Sequence, residues 1–205
     1  MTDHQPPAHP AEEVRPAVPE DAAAIADALA DAFADYGWTR WALPEDDYHG
    51  RLRAMQLYFI ERIGLPHGRI WVTDDVSAAA VWTCPDIEVP ADLFAAPELI
   101  GLYGDRAAAV ARADELLAPH RPAEPCWFLA TVGVRGDVQG RGLGGRVIAP
   151  GLRAADESGR PAFLETSEPR NVRFYRRLGF TVTAEVRLPD GAPVTWCMLR
   201  EPREG

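Results

Sequence analysis

The chain has little of what crosslinks, metal sites and membrane spans require. Only three of its 205 residues are cysteine. Cys84, Cys126 and Cys197 form no C-x-x-C pair, and an odd count gives no disulfide framework. Each lies beside strand-forming residues, which points to buried thiols in a reducing cytoplasm. The five histidines are scattered without metal-ligand spacing, so no metal is expected. No apolar run is long enough to span a bilayer and no secretory leader is visible, so no membrane partner is expected. Blocks of Lys and Arg are also missing, and the formal net charge is −10, which argues against a nucleic-acid partner. That acidity favours a cationic substrate, weakly and at a distance.

Apolar residues make up 47% of the chain, enough for one packed core. Residues 1–12 are rich in Pro, Ala and His and read as a loose, flexible tail, and residues 13–202 read as a single domain. Residues 14–18 predict a short strand. Pro19, Glu20 and Asp21 open a helix with a buried stripe of Ile25, Leu29 and Phe33, expected to stop near Gly37. Residues 38–44 read as a loop, in which Trp38 and Trp41 either pack on the core or wall a substrate pocket. A second helix is expected over residues 47–64, and a hairpin over 69–73 and 77–83. Residues 91–119 predict one or two helices broken between Gly101 and Gly104, as a cover for the sheet or a lid over a cleft.

One stretch organises the remainder. Residues 128–134 form an apolar, β-branched run that reads as a buried strand. A glycine-rich turn follows, and then a helical face of Leu143, Val147, Leu152 and Ala155, with a kink expected at Pro150 and an end at Gly159. The glycines let the backbone turn sharply and approach a ligand closely. A helix starting near Gly142 presents free N–H groups and the positive end of its dipole to that turn. Together these make a site for an anion, most simply a phosphate or pyrophosphate. Residues 162–166 predict a strand parallel to the first, since a helix connects them. A short helix over 170–178 stops at Gly179, and residues 180–188 and 193–199 form a closing hairpin.

Three motifs compete for the glycine turn. A P-loop fails, because no Lys-Ser/Thr follows the glycines. A dinucleotide fingerprint, which would mean a nicotinamide-dependent oxidoreductase, is matched by Gly140, Gly142 and Gly145, with Glu165 at the spacing of the ribose-binding acid. Only 40 residues remain after Glu165, too few for the further βα units of that fold. The third pattern is Q-x-x-G-x-G, carried by Gln139, Gly142 and Gly144. It resembles the pyrophosphate loop of the GCN5-related N-acetyltransferases. Asn171, Tyr175, Gly179 and Phe180 resemble that family's second signature, N-x-x-x-Y-x-x-x-G-F.

Further stretches are similar to the puromycin-acetylating members of this family: residues 34–36 and 39–40, 81–83, 117–122, 127–134, 163–167, 169–171 and 196–198. The resemblance implies a mixed α/β fold, with a central, mostly antiparallel sheet, a splayed parallel strand pair and flanking helices. It implies acetyl transfer from acetyl-CoA to the primary amine of puromycin or a related small amine, and with it antibiotic resistance. Residues 37–47 depart most from those members. In the family pattern the backbone of Gln139, Gly140, Arg141, Gly142, Leu143, Gly144 and Gly145 holds the pyrophosphate, Val132 and Val134 pair with the pantetheine arm, and Asn171 and Tyr175 complete the cofactor site. The N–H of Val132 is the candidate for polarising the thioester carbonyl.

Tyr175 is the family's general acid for the departing thiolate. A phenol near ~10 donating to a thiolate near ~8.5 works uphill by about 2 kcal/mol, so Tyr175 is expected to act mostly as a hydrogen-bond donor. Glu165 is either a base acting through water or a structural hydrogen-bond partner. Tyr36, Trp38, Trp41 and Glu165 are the candidate acceptor-site residues. A peptide or protein acceptor, or an acyl-CoA-binding module without turnover, are the alternatives. Monomer and homodimer both remain open.

Overall fold

A computed structural model describes residues 13–203. The tail expected over residues 1–12 lies outside the described residues. Among the described residues, seven strands form one sheet: β1 (Val14–Pro16), β2 (Gly68–Thr73), β3 (Ala78–Thr83), β4 (Trp127–Val134), β5 (Ala162–Thr166), β6 (Thr181–Val186) and β7 (Thr195–Arg200). Their order is β1-β2-β3-β4-β5-β7-β6. Neighbours are antiparallel except β4 and β5. That pair is parallel because the helix α7 (Leu143–Ser158) carries the chain back across the sheet between them.

Side chains alternate across the strands and so divide the core in two. Ala78, Ala80, Trp82, Leu129, Ala162 and Leu164 face one layer, with α7 and α8 (Pro169–Arg177). Ala79, Val81 and Phe163 face the other. That second layer holds α1 (Ala22–Phe33), α2 (Gly37–Ala42), α3 (Tyr48–Phe59), α5 (Pro97–Tyr103) and α6 (Ala107–Leu117). A wider helical turn, Ile60–Gly64, and the single turn α4 (Leu65–His67) link α3 to β2. The helices expected over 91–119 are present as α5 and α6, joined by a short turn at Gly104–Arg106.

Two glycines let helices lie directly on the sheet. A methyl group at Gly133 would come within 2.7 Å of Leu29 and 2.9 Å of Ala32, so α1 rests on bare β4 backbone. A methyl at Gly151 would overlap the indole of Trp82, which α7 covers completely.

Sequence and structure differ between residues 34 and 44. Gly37 does not end α1. The helix ends at Phe33, and Gly37 begins α2, so residues 38–42 are helical where a loop was expected. The reason lies in side chains. Thr39 Oγ1 donates to the Phe33 carbonyl (2.8 Å) and the Tyr36 carbonyl (2.9 Å), and Tyr48 Oη donates to the Ala34 carbonyl (3.0 Å). The Phe33 and Tyr36 carbonyls also accept the Tyr36 and Arg40 N–H groups, so these side chains brace the turn, and Tyr48 satisfies the Ala34 carbonyl left open at the helix end. The chain can then turn at Tyr36 without a left-handed glycine, and α2 starts at once.

Candidate active site

The parallel strands separate soon after they meet. Register pairing runs from Trp127 with Ala162 to Leu129 with Leu164. Beyond it, β4 continues along β3 to Val134, and β5 continues along β7 to Thr166. The β3–β4 register slips between Val81 and Trp82, leaving Ala130 as an extra residue in β4. Such a bulge bends a strand, and it sits where the opening starts. The N–H of Arg135 donates to Ser77 on the β3 side at 2.8 Å. Strand alternation then turns the backbone groups of Gly133 toward β3, and those of Val132 and Val134 into the opening. Gln139 confirms the direction, because its Nε2 donates to the Val134 carbonyl at 2.9 Å.

The glycine turn lies at the end of β4. Gly140 and Gly142 have φ of 81° and 79°, a region that favours glycine. A Cβ at Gly140, Gly142 or Gly145 would meet nothing within 4 Å, so the outer side of the turn is open, bare backbone. Gly144 instead faces inward, where its Cβ would lie 3.6 Å from Val134 and 3.8 Å from Phe174. Leu143 is buried in the core and offers only its backbone, whereas Arg141 is exposed. Gly142 caps α7 without a side-chain bond, so the first N–H groups of the helix point into this cradle. Asp31 on α1 accepts the Gly136 N–H at 2.6 Å and ties the turn's near side to α1.

A polar cluster closes the far side of the opening. Asn171 Nδ2 donates to Thr166 Oγ1 at 3.2 Å. Tyr36 Oη accepts the Ser167 N–H at 2.7 Å and lies 3.4 Å from Thr166 Oγ1. Ser167 Oγ and Thr195 Oγ1 are 2.9 Å apart. Tyr175 is 7% exposed, packed edge-on against Phe174 and Phe180. Burial, and then the nearby Tyr36, raises its phenol above the usual tyrosine value, so it stays protonated at neutral pH. Sequence reasoning had not singled out Thr166 or Ser167. The available signal was two hydroxyl residues at the end of a strand just past its last parallel partner.

Glu165 belongs to a different group. Its carboxylate takes Arg121 Nε at 2.8 Å and Nη2 at 3.3 Å, and Arg121 Nη2 also reaches Asp114 at 2.6 Å. Burial opposes the Arg121 charge, but Glu165 and Asp114 outweigh it and raise its pKa. Glu165 pairs across the sheet with Cys197, whose thiol is pushed up to about 11 by burial and then by the Glu165 charge. Arg121 was the missed residue here.

The tryptophans of α2 split in role. Trp41 is 6% exposed, and its indole N–H donates to the Asp190 carbonyl at 2.9 Å, which pins α2 to the β6–β7 turn. Trp38 is half-buried, 6.2 Å from Trp41 between ring centroids. It packs on the same layer as Phe33 and the stacked pair Phe128 and Phe163. Among the described residues, no group of three or more His, Cys, Asp or Glu could hold a metal, and no helix is long and apolar enough to cross a membrane.

Residues 36–180 match the Acetyltransferase (GNAT) family model. A solved structure from Corynebacterium glutamicum, described as histone acetyltransferase HPA2 and related acetyltransferase, is similar with a TM-score of 0.74 at 25% identity, over 94% of this chain and 97% of that one. Polyamine N-acetyltransferase of Drosophila melanogaster shares the fold, with a TM-score of 0.55 at 15% identity over 92% and 99% of the two chains. Among curated proteins, an uncharacterised N-acetyltransferase of Schizosaccharomyces pombe is 35% identical over 78 residues, 37% of this chain. That match spans 32% of the yeast protein's length. Because the family match runs from Tyr36 to Phe180, it takes in the opening, the glycine turn and the Tyr175 helix together, and the chain belongs to the GNAT acetyltransferase family.

Proposed function

We propose that the chain is an acetyl-CoA-dependent N-acetyltransferase acting on the primary amine of a small aromatic amine, with puromycin as the first candidate. The observation that carries this is the opening between β4 and β5, with the bare glycine cradle at the end of β4 and the Tyr36, Thr166 and Asn171 cluster at the end of β5. The site fits the cofactor: the cradle leaves room for a pyrophosphate, and the free edge of β4 suits an extended arm that pairs with Val132 and Val134 as an added strand would. Acetyl-CoA supplies the activated acetyl group as a thioester.

The protein's own residues do the following. Backbone groups of residues 139–145 bind the diphosphate. The Val132 N–H polarises the reacting carbonyl, a role worth about 10²–10³ in rate for a preorganised donor. Tyr175 donates a hydrogen bond to the departing sulfur. Its raised pKa makes full proton transfer steeper than the ~2 kcal/mol of an ordinary phenol, so water completes the transfer. Asn171 has its amide N–H on Thr166, which leaves its carbonyl oxygen to accept from the cofactor.

On the acceptor side we place Tyr36 and Trp38, the latter beside Trp41, which pins α2 to the β6–β7 turn. Glu165, with its oxygens engaged by Arg121, reaches the amine through water and favours a cation. An α-amine near ~8 needs less help than a lysine side chain near ~10.4, a difference of about 3 kcal/mol. Thiol release from acetyl-CoA with a panel of puromycin, an arylalkylamine, agmatine and a lysine peptide tests this. Puromycin is expected to give the highest kcat/KM. No thiol above background with any primary amine overturns the proposal.

A further inference from the structure

We propose that the Tyr36 hydroxyl is a second catalytic donor, paired with Tyr175 on the sulfur of coenzyme A as it departs as a thiolate. The inference rests on the placement of acetyl-CoA in the opening between β4 and β5.

Tyr36 stands just past α1, in one layer, and Asn171 is on α8, in the other. Their side chains meet at Thr166, the last residue of β5, where β4 no longer pairs with that strand. The hydrogen bonds there leave one proton without an acceptor. Tyr36 Oη accepts the Ser167 N–H at 2.7 Å, and Thr166 Oγ1 accepts from Asn171 Nδ2 at 3.2 Å. The two oxygens lie 3.4 Å apart, so one of their O–H groups serves the other oxygen and the second is left over. Thr166 is 3% exposed, and a hydroxyl so buried takes the one acceptor that the described residues offer it, which is Tyr36. Tyr36 Oη then accepts two bonds, which fill its lone pairs. It can take no proton from the amine, directly or through water, and it keeps one O–H to give. The accepted bonds polarise that O–H and strengthen it as a donor.

Tyr175 reaches the same region. It shares a stripe of α8 with Asn171, one turn earlier, and Tyr36 stands second to burial among the causes that keep its phenol protonated. The two phenols thus converge from α8 and from the turn after α1. The acidic side chains on these segments are paired, Asp35 with Arg40, Glu165 with Arg121 and Glu168 with Arg170. Arg173, Arg176 and Arg177 are exposed. Neutral O–H groups therefore meet the charge that develops on sulfur. When the C–S bond breaks, its electron pair stays on sulfur, and both phenols donate to it without giving up their protons. The attacking ammonium loses two protons in all, one reaching sulfur by way of water and the other passing to solvent.

The test is the ultraviolet thiolate absorbance of CoA bound to the full chain, titrated with pH and read as the difference from the same protein bound to desulfo-CoA. Tyr36→Phe should raise the bound thiol's titration midpoint by about one to two pH units, the scale of one hydrogen bond to a charged group. With puromycin its kcat should fall about ten- to hundredfold while KM stays within about threefold. Thr166→Val should move both readings in the same direction, and Thr166→Ser, which keeps the hydroxyl, should restore them. An unchanged midpoint in a folded Tyr36→Phe protein overturns the inference and leaves the cofactor assignment standing. So does a rise in KM with kcat unchanged, which would make Tyr36 an acceptor contact alone. A Thr166→Ser protein that behaves as Thr166→Val overturns the assignment of the Thr166 proton, and the donor role with it. Should Tyr36→Phe fail to fold, the two Thr166 variants decide by themselves. A wild type that binds neither ligand overturns the cofactor assignment as well.

Discussion

Replacing Tyr175 by phenylalanine removes one oxygen from a side chain that is 7% exposed and held between Phe174 and Phe180. Both rings keep their edge-on partners in the variant, so packing changes little. Burial already raises the phenol's pKa, so ionisation contributes nothing to the fold near neutrality. The melting temperature should therefore stay within a few degrees of wild type. Turnover should not. Under the proposed role, a preorganised donor to a developing thiolate, the phenol is worth about 10²–10³ in kcat, or roughly 2.7–4 kcal/mol. If Tyr175 were instead a freely titrating acid, kcat would fall with pH as it ionised. Its raised pKa puts that limb above the ordinary phenol value near ~10, so the wild-type profile should show no alkaline loss from this group below about pH 10. The assay is thiol release with acetyl-CoA and puromycin from pH 6 to 10, beside a thermal melt of both proteins. A folded Tyr175→Phe variant that keeps more than a tenth of wild-type kcat would refute the role. An alkaline limb near pH 8 that disappears in the variant would refute the donor account.

Four further outcomes follow, three from particular contacts and one from composition. Asp156 accepts both Nη groups of Arg200, which is 4% exposed, and Asp156→Ala should lower stability to urea by about 3–5 kcal/mol because a buried guanidinium loses its anion. Arg200, through its hydrogen bonds, holds the Asp156 carboxyl below the usual range, so its stabilisation is full above the ordinary value near ~3.9 and is lost as pH falls below it; Asp156→Asn should flatten that part of an acid melt. Gly151→Ala drives a methyl into the fully buried Trp82 indole, and should cost about 1–3 kcal/mol by the same urea measurement. With no lysine in the chain, prolonged incubation with acetyl-CoA should add no acetyl group to any lysine side chain, and intact mass should show at most one addition, at the terminal amine.

The glycine turn and the helix after it were legible because their demands fall on the backbone. Positive φ at Gly140 and Gly142 and the left-handed end at Gly159 each require a residue type, and a residue type is what a sequence displays. The parallel pair was legible by topology, since a helix between two strands leaves few other arrangements. The α2 segment was not. Its start depends on Thr39 and Tyr48 satisfying carbonyls at the end of α1, and a threonine does not announce which carbonyl it will find. Glycine at 37 looked like a stop because glycine usually is one, whereas here the stop is made by side chains.

The same distinction explains the candidate site. Tyr36 meets the Ser167 N–H from 131 residues away, and no local pattern records that contact. It exists because α1 rests on the backbone of β4 at Gly133 and so carries its own C-terminal end over the point where β5 leaves β4. Asp31 fastens the same helix to the glycine turn. The helix therefore touches the glycine turn through Asp31, and the turn that follows it reaches the polar cluster through Tyr36, five residues later. A spacing of five residues on one chain thus sets the distance between two sites that the motifs describe separately. Glu165 shows the converse. Its spacing from the glycines imitates a ribose-binding acid, yet its oxygens are turned to Arg121. Spacing along a chain becomes chemistry only where rigid structure holds both residues, as α1 and the Thr39-bonded turn after it do for Asp31 and Tyr36, and as no single element does for Gly145 and Glu165.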